Sequence, residues 1–149
     1  MDRFALRLSL GYGSAEGEVS IISAQQTTHP LDGIAPVVTP DQVRAMRGKV
    51  KAVRLSDELK RYVVDIVRAT RTAPGVQLGA GPRASLALSR IAQGMALVEG
   101  GEFVTPDHIR ELAVPVLAHR LALDPQAKFS GVTAAGIVTD ILQRIAAPA

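Results

Sequence analysis

"QLGAGPRASLAL", Gln77 to Leu88, is the stretch on which the rest of the chain is read. Two glycines and a proline break the chain, and an apolar-periodic segment follows at once. Pro82 suits the first position of a helix, where its ring presets φ and its missing amide hydrogen is not needed. A helix that opens on a glycine-rich turn offers free backbone N–H groups, and such ends hold phosphates. The lysine and hydroxyl of a phosphate loop, GxxxxGK[ST], are missing here. Arg83 is the lone cation of the turn. The helix dipole disfavours a cation at this end, unless the cation and the amides share an anion. Residue type alone leaves two readings open, an arginine in water and an anion ligand, and short motifs favour the first.

Outward from this turn the chain reads as helices. Ala84, Leu88, Ile91, Met95 and Val98 recur at four-three spacing and predict a buried stripe, with Gly100 and Gly101 as the stop. Upstream, Ser56 caps a helix whose stripe is Leu59, Tyr62, Val63, Ile66 and Val67. Before that, Thr39, Pro40 and Gln42 make a capping box, and the helix runs on to Lys51 with Val43, Met46 and Val50 inward. Downstream, Thr105, Pro106 and Asp107 start another helix, which Pro115 kinks or restarts. Thr133 caps the last, with Ile137, Val138, Ile141, Leu142 and Ile145 inward. At the N-terminal end, Phe4, Leu6, Leu8 and Leu10 alternate with Ala5, Arg7 and Ser9, a strand pattern with nothing to pair with. Ser14 caps a short helix towards Gln26, and prolines and Gly33 make Thr27 to Val38 a loop. The expected fold is all-α, a bundle of about five helices preceded by a short extended segment or strand and a helix.

Composition sets limits on function. The chain has 149 residues, 47% apolar and 21% charged, which suits one globular domain with a real core. There is no cysteine, which excludes disulfides and thiolate metal sites, and three scattered histidines argue against a zinc site. No stretch approaches the roughly 20 apolar residues of a membrane span. "MDRFALRLSLGYG" carries charges and no apolar run, so it is no signal peptide, and the cytoplasm is the expected location. Charge is uneven: the overall net is +3, but Gln42 to Arg71 holds nine basic residues against three acidic ones, a local +6. That asymmetry suits either a solvated helix face or a stand-alone basic helical module for nucleic acid or an acidic protein. No aromatic interleaving or reader motif supports nucleic acid.

Self-contained catalysis is not visible. Ser85, Ser89, His108 and His119 could be combined on paper, but nothing brings them together, and a GxSxG elbow is absent. His119 in "VLAHRL" has apolar neighbours and suits a hydrogen-bonded packing histidine, and Arg120 beside it a surface or interface charge.

Four stretches, in this order, resemble the MoxR-type AAA+ ATPases. "DRFALRLSLGYGSAEGEVSII" is similar to the last strand and following helix of their ATPase core, typically "LDRF…GYP…E…E". "HPLDGIAPVVTPDQV" resembles the linker into their lid. "DELKRYVVDIVRATR" with "LGAGPRASLAL" resembles the central lid helices and the sensor 2 segment, usually "GASPRA". "EGGEFVTPDHIRELAVPVLAHRL" is similar to the family's "GR.YVTPDDV…PVLRHR". The lid of the magnesium chelatase ATPase subunit is the related alternative. Gly13 and Gly81 depart from the usual proline and serine, and Gly81 thereby removes a possible capping hydroxyl.

The resemblance implies a helical AAA+ lid over 39–149, a linker over 27–38 and a remnant of the ATPase core over 1–26. It implies that Arg83 is the sensor 2 arginine, reaching the γ-phosphate of ATP, with Gly81 and Pro82 letting the backbone approach the nucleotide. Arg3 matches the arginine finger that completes a neighbouring subunit's site. ATP and Mg2+ would be held by the AAA+ core domain of the same polypeptide, and the chain reads as the C-terminal part of that protein, not catalytic by itself. The resemblance further implies a ring homo-oligomer, a hexamer, that remodels or matures client proteins with von Willebrand factor A domain partners.

Overall fold

The computed structural model describes residues 3–26 and 29–148. Expectations touching Met1, Asp2, Thr27, Thr28 and Ala149 lie outside the described residues. Seven α-helices are described: α1 (Ala15–Ala24), α2 (Pro40–Ala52), α3 (Asp57–Ala69), α4 (Pro82–Val98), α5 (Pro106–Leu117), α6 (Pro125–Phe129) and α7 (Ala134–Arg144). Two short strands, β1 (Val76–Leu78) and β2 (Ala122–Leu123), pair antiparallel with Val76 opposite Leu123. The chain divides into two compact units, residues 8–46 and a larger one made of 3–7 with 47–148.

The smaller unit holds α1, a 3-10 turn at Pro30–Gly33 and the first part of α2. Ser14 caps α1 by accepting from the Gly17 amide at 3.1 Å. Thr39 and Gln42 form the expected capping box, with Thr39 N–H donating to Gln42 Oε1 at 2.7 Å and Gln42 N–H to Thr39 Oγ1 at 3.2 Å. Neither α1 nor α2 buries a residue, and Val19, Ile21, Ile22 and Met46 are all exposed. The inward placement expected for Met46 is therefore corrected: its side chain is exposed, and Val43 and Val50 of the same stripe are only half-buried.

The larger unit is the helical bundle, built from α3, α4, α5 and α7 around Ile66, Leu88, Ile109, Leu117 and Val138. The α3 stripe is buried as its spacing predicts, and so are Ile137, Val138, Ile141 and Leu142 of α7. In α4 the buried face differs from the expected one: it runs Ala84, Leu88, Ala92 and Ala96, while Val98 is 89% exposed. Alanines at those positions let α3 and α5 pack against α4 at short range, and Ile91 and Met95 lie at the margin. Gly100, at φ +81°, ends α4: its amide donates to Leu97 O and that of Gly101 to Ala96 O at 2.7 Å.

The strand expected at Phe4–Leu10 does not form. A strand needs a partner edge, and among the described residues this segment instead meets a helix end, with Arg7 N–H donating to Pro115 O at 2.9 Å. Leu6 packs against the core, whereas Phe4, Leu8 and Leu10 are exposed.

Candidate functional site

The turn that opens α4 is held by the end of α3. Thr70 follows α3, and its side chain is fully buried. Its Oγ1 donates to Val67 O at 2.6 Å and accepts from Ala80 N–H at 2.9 Å. Arg71 Nε donates to Ala80 O at 3.0 Å, so both polar groups of the Ala80 backbone are taken. Gly79 is in close contact with the same corner: a Cβ there would stand 2.6 Å from Arg71 Cα and 2.8 Å from the Thr70 carbonyl carbon. This absence of a side chain brings the turn against α3. Gly81, by contrast, has open space where a Cβ would point. The first glycine of the pair is required by packing, and the second faces free volume.

Gly81 is the N-cap of α4 and makes no side-chain cap bond, as its departure from serine predicts. Pro82 and Arg83 are the first two helical residues, both exposed, and no acidic residue shares the first turn. An anion at this end would meet a guanidinium and the amides of a 17-residue helix together.

A second cluster joins the N-terminal segment to the end of α5. Pro115 lies in the last turn of α5, and the chain then tightens into a 3-10 turn at Ala118–Arg120. The last carbonyls of a helix lack partners within it. Here Pro115 O takes the Arg7 amide and lies 3.1 Å from His119 Nδ1, while Val116 O accepts from Arg120 Nε at 2.7 Å. The same two side chains reach the N-terminal segment. His119 Nε2 is 3.2 Å from Phe4 O, and Arg120 Nη2 donates to Phe4 O at 2.6 Å and to Ala5 O at 3.1 Å. Arg3, exposed, is the residue immediately before these held carbonyls. His119 is thus the packing histidine expected, but the grip on Phe4 and Ala5 was not legible. Two adjacent polar residues just past a proline-bearing helix end were its signal.

Other singled-out residues have structural partners. His108 closes a capping box with Thr105, its Nδ1 accepting the Thr105 amide at 3.0 Å and its Nε2 lying 2.8 Å from Glu99 Oε2. Of the basic residues, Arg44 pairs with Asp41, Lys60 with Asp57 at 2.8 Å, and Arg54 lies 5.9 Å from the Phe103 ring centroid. Lys60 holds the Asp57 carboxyl below its ordinary value, by hydrogen bonding first and by charge second. Among the described residues no three His, Cys, Asp or Glu side chains gather as a metal site, and no helix is long and apolar enough to cross a membrane.

This helical bundle is a lid of the AAA ATPase type: the AAA lid domain family matches residues 68–141, from the end of α3 into α7. The chain is similar to MoxR-type AAA+ proteins. It is 31% identical to chaperone MoxR1 of Mycobacterium tuberculosis, covering 99% of this chain and 41% of that one. It is 40% identical to YeaC of Bacillus subtilis, an uncharacterized protein, covering 99% of this chain and 46% of that one. A solved structure from Cytophaga hutchinsonii, described as a "putative ATPase", superposes with a TM-score of 0.85 at 26% identity, over 99% of this chain and 48% of that one. The chain spans less than half the length of the curated relatives it matches.

Proposed function

We propose that this chain is the sensor 2 lid of an ATPase that uses ATP hydrolysis to remodel or mature client proteins. The observation that carries the proposal is Arg83, exposed at the start of α4 on a turn clasped to α3 by Thr70, Arg71 and Gly79. A guanidinium so mounted can meet two oxygens of the γ-phosphate at once, with Gly81 and Pro82 bringing the helix amides near. Loss of that phosphate on hydrolysis would release the contact and let the lid move. Mg2+ would sit with ATP on the AAA+ core domain of the same polypeptide, as the resemblance to MoxR-type ATPases implies.

Arg3 would act across a subunit boundary as an arginine finger, stabilising charge in the neighbour's transition state. That role requires a ring of copies, for which we propose a hexamer. The name of the MoxR1 relative supports a chaperone role, and von Willebrand factor A domain proteins are the proposed partners.

The test is Arg83→Ala in the complete ATPase polypeptide. Loss of one charge-assisted contact, worth about 1.5–3 kcal/mol, lowers turnover roughly 10- to 150-fold. Arg83→Lys keeps the charge without the fork and recovers part of it. Wild-type turnover by Arg83→Ala would sink the sensor 2 reading.

A further inference from the structure

We infer that Arg120 and His119 are positioning residues for Arg3, so that the lid itself sets the finger offered to the next subunit. This rests on the arginine-finger reading of Arg3. Arg120 bridges two backbones with one planar group. Its Nε takes Val116 O at the end of α5, and its Nη2 takes Phe4 O and Ala5 O, at 2.7, 2.6 and 3.1 Å. His119 spans the same gap, between Pro115 O and Phe4 O. The Arg7 amide on Pro115 O and the packing of Leu6 against the core fix the far side of the segment. Phe4 is therefore held from the carbonyl side by two side chains, and Arg3 is one peptide bond away.

The arrangement suits its place. Carbonyls at a helix C-terminus carry the negative end of the dipole, which favours a guanidinium there. A guanidinium holds several oxygens in fixed directions, which a lysine cannot. The strand expected over this segment is absent, so the side chains of the 3-10 turn do for Phe4 and Ala5 what a neighbouring strand would otherwise do. Any movement of α5 with the lid carries the backbone next to Arg3 with it.

A finger acts in trans, and this separates a positioning role from a merely structural one. In the complete ATPase, Arg3→Ala and Arg120→Ala are each assembled as uniform rings, and each is then mixed with subunits that keep Arg3 and Arg120 but are disabled in their own ATP-binding loop. If Arg120 positions Arg3, Arg120→Ala loses roughly 100-fold in kcat, as a small misplacement of a catalytic group does, with KM for ATP unchanged. Mixing restores part of the turnover, because an Arg120→Ala site beside a disabled subunit then receives an intact finger from that neighbour. Arg120→Lys gives intermediate turnover, and hydrogen exchange at the Arg7 amide quickens in Arg120→Ala while the amides of α4 stay protected.

Arg120→Ala rings that mixing does not rescue would show that Arg120 acts within its own subunit, and overturn the inference. So would full activity in Arg120→Ala beside an inactive Arg3→Ala, which leaves the finger reading intact. Full activity in Arg3→Ala removes the finger reading first, and the inference with it.

Discussion

Thr70 Oγ1 lies 2.9 Å from the Ala80 amide, and this one hydroxyl joins the end of α3 to the turn that opens α4. It also donates to Val67 O, so both its donor and acceptor functions are used in a site with no exposure. Thr70→Val keeps the shape and strands the buried Ala80 N–H. The expected cost is about 1–3 kcal/mol. In a chain of this size that lowers the melting temperature by roughly 2–4 °C per kcal/mol. Thr70→Ser keeps the hydroxyl and should lose clearly less. Equal losses for the two variants in thermal unfolding would mean the hydrogen bond is not what holds the turn.

The two glycines of "GAG" should respond in opposite ways. Gly79→Ala puts a methyl 2.6 Å from Arg71 Cα, a backbone atom that cannot step aside alone. The turn must move off α3, at about 1–3 kcal/mol. Gly81→Ala meets open space, at φ −92°, and should cost no more than about 0.5–1 kcal/mol as a poorer N-cap, the typical difference between glycine and alanine there. Denaturant midpoints of the pair check this. A Gly81 variant that loses as much as the Gly79 variant would contradict the packing described.

Much of this site was readable beforehand, for local reasons. Ser14, Thr39, Ser56, Thr105 and Thr133 all cap the helices their positions predict, because a cap depends on residues only three apart. The end of α4 at Gly100 was equally local. What could not be read depends on partners distant in sequence. β1 and β2 are three and two residues long, too short to show alternation, and they pair across more than 40 positions. The Arg120 grip on Phe4 spans 116 positions. The strand expected at Phe4–Leu10 had the right periodicity, but periodicity does not supply an edge to pair with. Arg83 was legible as a helix-start arginine, whereas the reason its turn stays in place lies in Thr70, which did not stand out, and in Gly79, legible only as a chain breaker and not as a packing contact.

Acid should weaken one end of α3 in a specific way. Asp57 sits in the first turn of α3 with Lys60 at 2.8 Å, and its folded pKa is lowered from the ordinary 3.8. A lowered carboxyl pKa means the folded state favours the ionised form, so its contribution is complete at neutral pH. It is lost as the pH falls below 3.8 and through the lowered folded value. The pair is exposed, so the effect is small. The stability difference between the wild type and Asp57→Asn should be constant near neutral pH and shrink in acid. A difference that widens as the pH falls would reverse the assigned shift.

The corrected stripe of α4 gives the sharpest test of the packing. The four-three reading places Val98 inside, whereas the structure leaves it 89% exposed and buries Ala92 and Ala96 completely. The two arrangements differ in which substitutions hurt. Val98→Ala should stay within about 0.5 kcal/mol of the wild type, as surface changes do. Leu88→Ala removes a fully buried side chain and should cost about 2–5 kcal/mol, depending on how far the site collapses. Ala92→Leu adds three heavy atoms where α4 faces its neighbours with an alanine, and overpacking of that kind costs about 1–3 kcal/mol or more. If Val98→Ala were the costly change and Ala92→Leu were neutral, α4 would be rotated about its axis relative to the arrangement described. Arg83 would turn with it, since both the stripe and the site are mounted on the same helix.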